Sequence, residues 1–255
     1  MGALDNRHAL ITGGGTGIGA AIARALAGEG AAVSLAGRRK APLDGVAANL
    51  ARAATIVADV TKESDCAAMA TAARAANGPI DIVVANAGAA ASAPIAMLDL
   101  AQWHSMIDVN LTGAFLTVKA ALADVTRKSE GPRRIIFIAS TAALKGYPYV
   151  AAYCAAKHGV VGLARALSLE LEPTGVTVNA VCPGYTDTPL LDSAAEKISA
   201  KTGRSAADAR AMLAKDNPSG RLVKPEEVAQ AVLKLCLPAA GSVNGQTIEV
   251  NGGSQ

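Results

Sequence analysis

The amino-acid sequence predicts an α/β protein in which a doubly wound parallel sheet is covered by helices on both faces. Short, uniformly apolar segments alternate with helix-forming segments from the first residues onward, which is typical of such a sheet. No linker rich in Ser, Pro or Gly divides the 255 residues. Hydrophobic residues make up 51% of the chain and aromatic residues only 3%, which predicts a core of Ala, Val, Leu and Ile. We therefore expect one domain over residues 1–255.

Each strand is predicted from a short apolar run, and each helix from the longer segment that follows it. In chain order the predicted strands are His8–Thr12, Ala32–Ala36, Thr55–Ala58, Ile80–Val84, Arg134–Ala139, Val176–Val181 and Gln246–Val250. The predicted helices are Gly17–Glu29, Leu43–Arg52, Glu63–Ala76, Gln102–Val125, Tyr153–Leu171 and Glu226–Leu235. A polar, helix-forming segment, Leu190–Asn217, interrupts the alternation, and we expect it to be an insertion that acts as a substrate lid.

Composition and charge exclude several classes of protein. A net charge of +3, from 24 basic and 21 acidic residues that are mixed along the chain, predicts no nucleic-acid partner. The longest uncharged stretch, Ile82–Leu98, contains Asn, Gly, Ser and Pro, so no membrane segment is predicted. His8, His104 and His158 show no ligand spacing, and no metal site is expected. The four widely spaced cysteines indicate reduced thiols and a cytoplasmic protein.

A glycine-rich turn, Thr12–Gly19, connects the first predicted strand to the first helix. Glycine lets the backbone approach a phosphate closely, and a helix N-terminus offers free N–H groups and the positive end of its dipole. At this place in an alternating chain, the turn predicts a dinucleotide site.

The end of the second strand indicates which dinucleotide is bound. An NAD site carries an acidic residue about 20 residues beyond the glycines, where the carboxylate binds the ribose hydroxyls. Here the strand leads into Arg38, Arg39 and Lys40, with no acid before Asp44. Guanidinium groups suit a 2′-phosphate. NADP(H) is therefore favoured, with NAD(H) as the alternative.

Three residues form a candidate catalytic set. Tyr153 and Lys157 are four residues apart and share one face of a predicted helix. A lysine ammonium beside the phenol is expected to lower the pKa of Tyr153, so that this residue can exchange a proton near neutral pH. Ser140 follows the strongest predicted strand, at the end of the sheet where such folds bind ligands.

Together these motifs resemble those of the short-chain dehydrogenase/reductase superfamily over nearly all 255 residues. The resemblance implies a Rossmann-type sheet of about seven strands that carries cofactor and substrate sites in one domain. It further implies that Tyr153 is the general acid or base, that Ser140 binds the substrate oxygen, that Lys157 holds the nicotinamide ribose and that Asn110 supports a water next to Lys157. The cofactor residues implied by the motifs, with Arg38 and Arg39 from the preceding argument, are Thr12, Gly13, Gly15, Thr16, Gly17, Ile18, Gly19, Arg38, Arg39, Asp59, Val60, Asn86, Ala87, Gly88, Tyr153, Lys157, Pro183, Gly184, Thr186 and Thr188.

The substrate is less well defined by the sequence. Ser140, Ala142, Tyr147 and Tyr185 are the candidate substrate-binding residues, and the C-terminal part of the chain resembles the 3-oxoacyl-thioester reductase branch. The expected activity is hydride transfer between NADP(H) and a ketone or 3-oxoacyl thioester, with a CoA- or carrier-linked substrate as one option. An NAD-dependent hydroxyacyl-CoA or hydroxysteroid dehydrogenase is the first alternative, and a non-catalytic dinucleotide sensor is a remote one. Apolar residues around the helix after Tyr153 predict a homodimer or homotetramer.

Overall fold

The sheet in the computed structural model, which describes residues 2–253, has seven strands in the order β3-β2-β1-β4-β5-β6-β7. Every adjacent pair is parallel, so the predicted doubly wound sheet is confirmed. The strands are β1 (His8–Thr12), β2 (Ala32–Gly37), β3 (Ala53–Val57), β4 (Ile82–Ala85), β5 (Arg134–Ile138), β6 (Thr177–Pro183) and β7 (Thr247–Val250).

Successive residues of a strand enter opposite cores, because side chains alternate between the two faces of a sheet. In β1, Ala9 and Ile11 pack into one hydrophobic cluster, while Leu10 packs into the other. Both faces are therefore buried, which explains why the strands are continuous apolar runs rather than alternating patterns.

Helices cover both faces. Helices α1, α2 and α9 contribute to the core on one face, and α3, α5 and α6 to the core on the other. The helices are α1 (Gly17–Gly28), α2 (Lys40–Ala47), α3 (Glu63–Asn77), α4 (Leu100–Ile107), α5 (Gly113–Val125), α6 (Ala151–Glu170), α7 (Pro189–Thr202), α8 (Ala206–Ala214) and α9 (Pro225–Cys236).

The predicted helix Gln102–Val125 is continuous but not uniform. A π-helical turn, Asp108–Thr112, separates α4 from α5. By length and composition alone, Leu100–Val125 is suited to crossing a membrane, a test that core helices also pass. Leu116 and Val118 of this helix belong to the core, whereas Leu100 and Phe115 are exposed by 68% and 43%, so packing on the sheet explains only part of its apolar surface.

The prediction for the second helix is wrong in its bounds. The expected range is Leu43–Arg52, whereas α2 spans Lys40–Ala47. Pro42 lies in the first turn of α2, where a missing N–H costs no helical hydrogen bond, so the helix begins before the proline. In consequence Lys40 belongs to a helix and its ammonium lies 2.7 Å from the Asp44 carboxylate.

The segment between β6 and α9, where the sequence predicts an insertion, contains α7 and α8. Thr188 caps α7 by accepting a hydrogen bond from the amide of Leu191, and Ser205 caps α8 through the amide of Asp208. Gly203 ends α7 in the left-handed conformation, with φ of 71°. These signals explain why the polar insertion folds into two helices.

Candidate active site

The predicted site residues follow the carboxyl ends of six strands, β1 to β6. Four of these ends, those of β1, β4, β5 and β6, lie side by side. The order of the strands reverses between β1 and β4, because β2 and β3 lie on one side of β1 while β4 to β7 lie on the other. Open α/β sheets bind ligands in the crevice at such a reversal. The topology therefore brings the glycine turn and the Ser140–Tyr153–Lys157 set to one edge of the sheet.

The glycine turn forms a bare cradle at the start of α1. Gly13 has a φ of 66°, and a Cβ there would lie 2.8 Å from the Asn86 side-chain nitrogen. A Cβ on Gly19 would overlap the carbonyl oxygen of Gly13. Thr16 is the N-cap of α1 but makes no side-chain capping bond, which leaves the first amides of the helix available to an anion. Gly15, Gly17 and Ile18 complete the turn and its entry into α1.

Thr12 and Asn86 tie the ends of β1 and β4 together. The amides of Asn86 and Ala87 each donate to Thr12 Oγ1 at 3.1 Å, and Asn86 Nδ2 donates to the carbonyl of Thr12 at 2.8 Å. The polar groups of Thr12 and Asn86 are thus bonded to each other. In this structure these residues position the glycine turn beside the strand end that carries Gly88.

Arg38 and Arg39 are exposed at the end of β2. Neither side chain makes a hydrogen bond or an ion pair within residues 2–253. Asp59, after β3, accepts two hydrogen bonds from Thr61, and these bonds, reinforced by the charge of Arg38, hold the pKa of Asp59 below its usual value. The end of β2 thus presents two free guanidinium groups, with Lys40 already paired. Val60 is buried, and its side chain faces Gly113 in the core.

Ser140, Tyr153 and Lys157 are brought together by β5 and α6. Ser140 begins the short 3-10 turn that follows β5, where its Oγ accepts from the amide of Ala142 at 3.1 Å. Its hydroxyl is near enough to the phenol of Tyr153 to lower the pKa of that phenol. Lys157 is 4% exposed, donates to the carbonyl of Ile138 at 2.9 Å, and has its Nζ 5.7 Å from the centroid of the Tyr153 ring. The phenol, the hydroxyl and the ammonium therefore converge at the end of β5.

Burial shifts the two titratable groups of this set in opposite directions. Desolvation raises the pKa of Tyr153 to about 12, although the hydrogen bond with Ser140 acts to lower it. Desolvation lowers the pKa of Lys157 to about 8. The sequence predicts a lowered pKa for Tyr153, and the net shift in this structure is the opposite. The reason is that loss of solvent disfavours the charged form of each group more strongly than any neighbour favours it.

Asn110 occupies the π-helical turn and is 1% exposed. Its Nδ2 donates to the carbonyls of Ala89 at 2.9 Å and Met106 at 3.0 Å, and its Oδ1 accepts from the amide of Ala89 at 3.3 Å. A Cβ on Gly88 would lie 2.7 Å from Asn110 Oδ1 and 3.6 Å from Lys157 Nζ. The absence of a side chain at Gly88 therefore allows Asn110 and Lys157 to approach the same point.

The segment after β6 reaches back to the glycine turn. Thr188 approaches Gly17, where a Cβ would lie 3.0 Å from its methyl group. Thr186 donates to the carbonyl of Gly184 at 2.9 Å, and Pro183 is the last residue of β6. Of the predicted residues of this segment, Thr188 contacts the glycine turn, whereas Thr186 bonds only within its own turn.

A polar cavity of about 220 Å³ lies beside the 3-10 turn. Tyr147 bonds Thr141 Oγ1 at 2.9 Å and packs edge-on against Tyr185, with the ring centroids 6.1 Å apart. Ala142 is buried in the same turn. Lys145, Asp216 and Glu249 are the charged residues that line the cavity.

Two residues of the insertion have roles that their sequence context did not predict. Asn217 is 3% exposed, and its amide bonds both backbone groups of Tyr185 at 2.8–2.9 Å. Arg210 pairs with Asp187 at 2.6 Å and with Asp192. The turn sequence Asn-Pro-Ser-Gly, which begins at Asn217, is a local signal for a buried asparagine. The ion pairs of Arg210 join residues that are 18 or more positions apart, and no local pattern indicates them.

All four cysteines are free and buried: Cys66, Cys154, Cys182 and Cys236. Within residues 2–253, no group of three His, Cys, Asp or Glu side chains is suited to hold a metal ion.

Comparisons with known proteins agree with this architecture. The sequence profile of the family described as "short chain dehydrogenase" matches residues 7–199. A putative ketoacyl reductase of Streptomyces coelicolor is 38% identical, with 99% of this chain and 98% of the relative covered. The cis-4-hydroxycyclohexanecarboxylate dehydrogenase of Sinomonas cyclohexanicum is 40% identical, with coverage of 98% and 97%.

A solved structure extends the similarity to three dimensions. A single-residue variant of actinorhodin polyketide ketoreductase with NADPH superposes with a TM-score of 0.92 at 38% identity, covering 99% of this chain and 98% of the other. The fold, the matched profile and the relatives together show that this chain belongs to the short-chain dehydrogenase/reductase family of oxidoreductases, enzymes that act on CH–OH groups and the corresponding carbonyls.

Proposed function

We propose that the protein reduces a ketone or a 3-oxoacyl thioester with NADPH. The observation that carries this proposal is the convergence of Ser140, Tyr153 and Lys157 at the sheet edge that also carries the glycine turn. The similarity to ketoacyl reductases and to a ketoreductase structure with NADPH supports the same reaction.

The cradle of α1 fits a dinucleotide. Bare backbone at Gly13 and Gly19 and the uncapped first turn of α1 suit a pyrophosphate, because amides at a helix N-terminus bind anions. Thr188 adjoins Gly17, in reach of a cofactor that runs across the turn. When bound, the cofactor supplies the hydride that adds to the carbonyl carbon.

Tyr153 then supplies the proton. The pKa of about 12 keeps the phenol protonated at neutral pH, and Ser140 holds the substrate oxygen beside it. Reduction adds one hydride to the carbonyl carbon and one proton to the oxygen, and an alcohol results. Lys157, charged below its pKa of about 8, stabilises negative charge that develops at the phenol oxygen. Asn110 holds the backbone of Ala89, next to Gly88, and Lys157 lies beside Gly88.

The free guanidinium groups of Arg38 and Arg39 support a preference for NADPH over NADH. A planar guanidinium binds a phosphate through two hydrogen bonds, and no carboxylate stands at the end of β2 where NAD sites have one.

Substrate delivery and assembly are further parts of the proposal. Helices α7 and α8 form a lid over the substrate, and exposed lysines such as Lys197 and Lys201 suit an anionic CoA or carrier-protein thioester.

Phe115 of α5 and Leu169 of α6, exposed by 43% and 74%, suit a helical interface of a homodimer or homotetramer. Buried, unpaired cysteines fit a cytoplasmic location.

The test is a panel of ketones, alcohols and 3-oxoacyl thioesters, assayed with NADPH and NADH. We expect NADPH-dependent reduction by the natural chain, and a loss of at least 100-fold in kcat for Tyr153→Phe with NADPH affinity retained, since general acid catalysis contributes about 10²–10⁴-fold. Cofactor binding with no turnover on any member would identify a dinucleotide sensor instead. Turnover by Tyr153→Phe within threefold of the natural chain would remove this phenol from the role of acid.

A further inference from the structure

Asn217, at the C-terminal end of the insertion, is buried although it lies in a turn. Its Oδ1 accepts from the amide of Tyr185 at 2.9 Å, and its Nδ2 donates to the carbonyls of Tyr185 at 2.8 Å and Arg221 at 2.7 Å. The oxygen and both N–H groups of the side chain are therefore used. Burial of a polar side chain is tolerated when its groups are bonded in this way.

These bonds close the base of the insertion. Tyr185 precedes α7 and Asn217 follows α8, so one side chain joins the two ends of the segment. The backbone of Val223 adds a second connection, because its amide donates to the carbonyl of Tyr185 at 2.9 Å. Within residues 2–253, however, the amide of Tyr185 has no acceptor other than Asn217 Oδ1. The orientation of this peptide group therefore depends on Asn217.

The ring of Tyr185 lies beside the candidate catalytic set. It packs edge-on against Tyr147, and the phenol of Tyr147 bonds Thr141 Oγ1, next to Ser140. Loss of solvent raises the pKa of Tyr185 to about 12, and a charge on the Tyr153 phenol is among the effects that act in the same direction. A charge shifts a neighbouring pKa appreciably only at short range, so the two phenols lie near each other.

Gly184 shows how closely the asparagine fits between its neighbours. A Cβ on Gly184 would overlap Asn217 Oδ1 and would lie 3.3 Å from the Cα of Asn251. Asn217 also lines the polar cavity, together with Thr141. The absence of a side chain at Gly184 therefore makes room for the asparagine between the segment after β6 and this cavity.

From this geometry we infer that Asn217 is a positioning residue for the reaction. It holds the backbone of Tyr185, and through that backbone it fixes the Tyr185 ring against Tyr147 and beside the Tyr153 phenol. A carbonyl bound between Ser140 and Tyr153 is held correctly for proton transfer only while Asn217 keeps its bonds. Misplacement by about 1 Å in a site of this kind lowers a rate by about 100-fold. The inference rests on the proposed function and adds to it a residue that acts through Tyr185.

The first test compares Asn217→Ala with Asn179→Ala. Asn179 is a matched control, because it is fully buried and its side chain also bonds one backbone amide and one carbonyl, those of Gln246 and Val243. Both variants lose buried hydrogen bonds, and we expect a lower Tm for each. Well below either Tm, kcat with NADPH and the best carbonyl of the panel falls at least tenfold in Asn217→Ala and stays within twofold in Asn179→Ala. The Kd for NADPH stays within threefold in both.

A double-mutant cycle with Gly184→Ala checks that the effect passes through the asparagine side chain. The added Cβ displaces that side chain, so Gly184→Ala alone lowers kcat as Asn217→Ala does. In the double variant this obstacle is absent, and we expect a kcat within threefold of that of Asn217→Ala. Independent effects would multiply instead, and that result overturns the inference. Should Asn217→Ala not fold, Gly184→Ala takes its place, and a kcat within twofold of the natural chain is then the refuting result.

A spectroscopic measurement separates this inference from the proposed function. The chain has four tyrosines, so incorporation of 3-fluorotyrosine gives four fluorine NMR resonances, which are assigned with single Tyr→Phe variants. In Asn217→Ala the resonance of Tyr185 shifts and that of the exposed Tyr149 does not, whereas neither changes in Asn179→Ala. This pattern without reduction of any carbonyl refutes the proposed function and leaves the attachment of Tyr185 standing. An unchanged Tyr185 resonance, or a kcat of Asn217→Ala within twofold of the natural chain, overturns the inference.

Discussion

Replacing Gly19 with alanine tests whether the cradle is the cofactor site. A Cβ at this position would overlap the carbonyl oxygen of Gly13 and would lie 2.6 Å from the side-chain nitrogen of Asn86. The first obstacle is backbone, and Asn86 is held by its bonds to Thr12. Neither neighbour can move without opening the turn.

The expected size of the effect follows from these contacts. Overpacking at a tight site costs about 1–3 kcal/mol, which corresponds to a fall in Tm of roughly 2–12 °C for a chain of this length. A displaced turn also loses hydrogen bonds to a charged pyrophosphate, each of which contributes about 1.5 kcal/mol or more. Loss of two such bonds weakens NADPH binding by about 100-fold.

The assay is titration with NADPH, followed by its fluorescence, together with thermal unfolding. Gly28→Ala is the control, since Gly28 ends the same helix and a Cβ there would meet nothing within 4 Å. This control keeps its NADPH affinity and gains up to about 1 kcal/mol of stability from the helix propensity of alanine. If Gly19→Ala binds NADPH within threefold of the natural chain, the cradle is not the cofactor site.

Three other predictions concern charge. Arg38→Ala lowers kcat/KM with NADPH by about 10–100-fold and leaves kcat/KM with NADH unchanged, because the substitution removes charge-assisted bonds to the 2′-phosphate. An unchanged ratio of kcat/KM with NADPH to kcat/KM with NADH refutes this prediction. The rate of reduction is constant below pH 7 and falls as Lys157 loses its proton around pH 8. The rate of alcohol oxidation rises about tenfold per pH unit and levels off near pH 8. A reduction rate that is flat to pH 10 contradicts the role of Lys157. Arg134 is 3% exposed and donates to the carbonyls of Leu235 and Leu237 at the end of α9, so Arg134→Met lowers the free energy of unfolding by about 2 kcal/mol, whereas exposed Arg24→Met does not. A higher Tm for Arg134→Met would mean that the desolvation of the guanidinium outweighs its bonds.

Local patterns are sufficient to predict most of the sheet. The strand His8–Thr12 is predicted with its observed ends, and the other six strands within a few residues. The five inner strands, β1, β2, β4, β5 and β6, are buried on both faces, so most of their residues are apolar, whereas the edge strands β3 and β7 are only partly buried. The glycine turn marks the first crossover. Tyr153 and Lys157 can be placed on one helical face because a spacing of four residues is a property of the helix alone.

Properties that depend on distant residues could not be predicted in the same way. The pairing of Arg210 with Asp187, the bonds of Asn217 to Tyr185 and the direction of the pKa shift at Tyr153 all depend on which segments meet in space. The sequence shows Lys157 next to Tyr153, but not that both side chains lose solvent, nor that Lys157 donates to Ile138.

The burial that the sequence does not reveal sets the protonation states of Tyr153 and Lys157. With a pKa raised to about 12, the Tyr153 phenol is protonated at pH 7, and with a pKa lowered to about 8, the Lys157 ammonium is mostly charged. Desolvation acts with opposite sign on the two groups because one is neutral and the other charged when protonated. Around neutral pH the prevailing form is therefore a neutral Tyr153 beside a charged Lys157, which is the form that donates a proton to a carbonyl oxygen. Alcohol oxidation requires the phenolate instead, which the same loss of solvent disfavours.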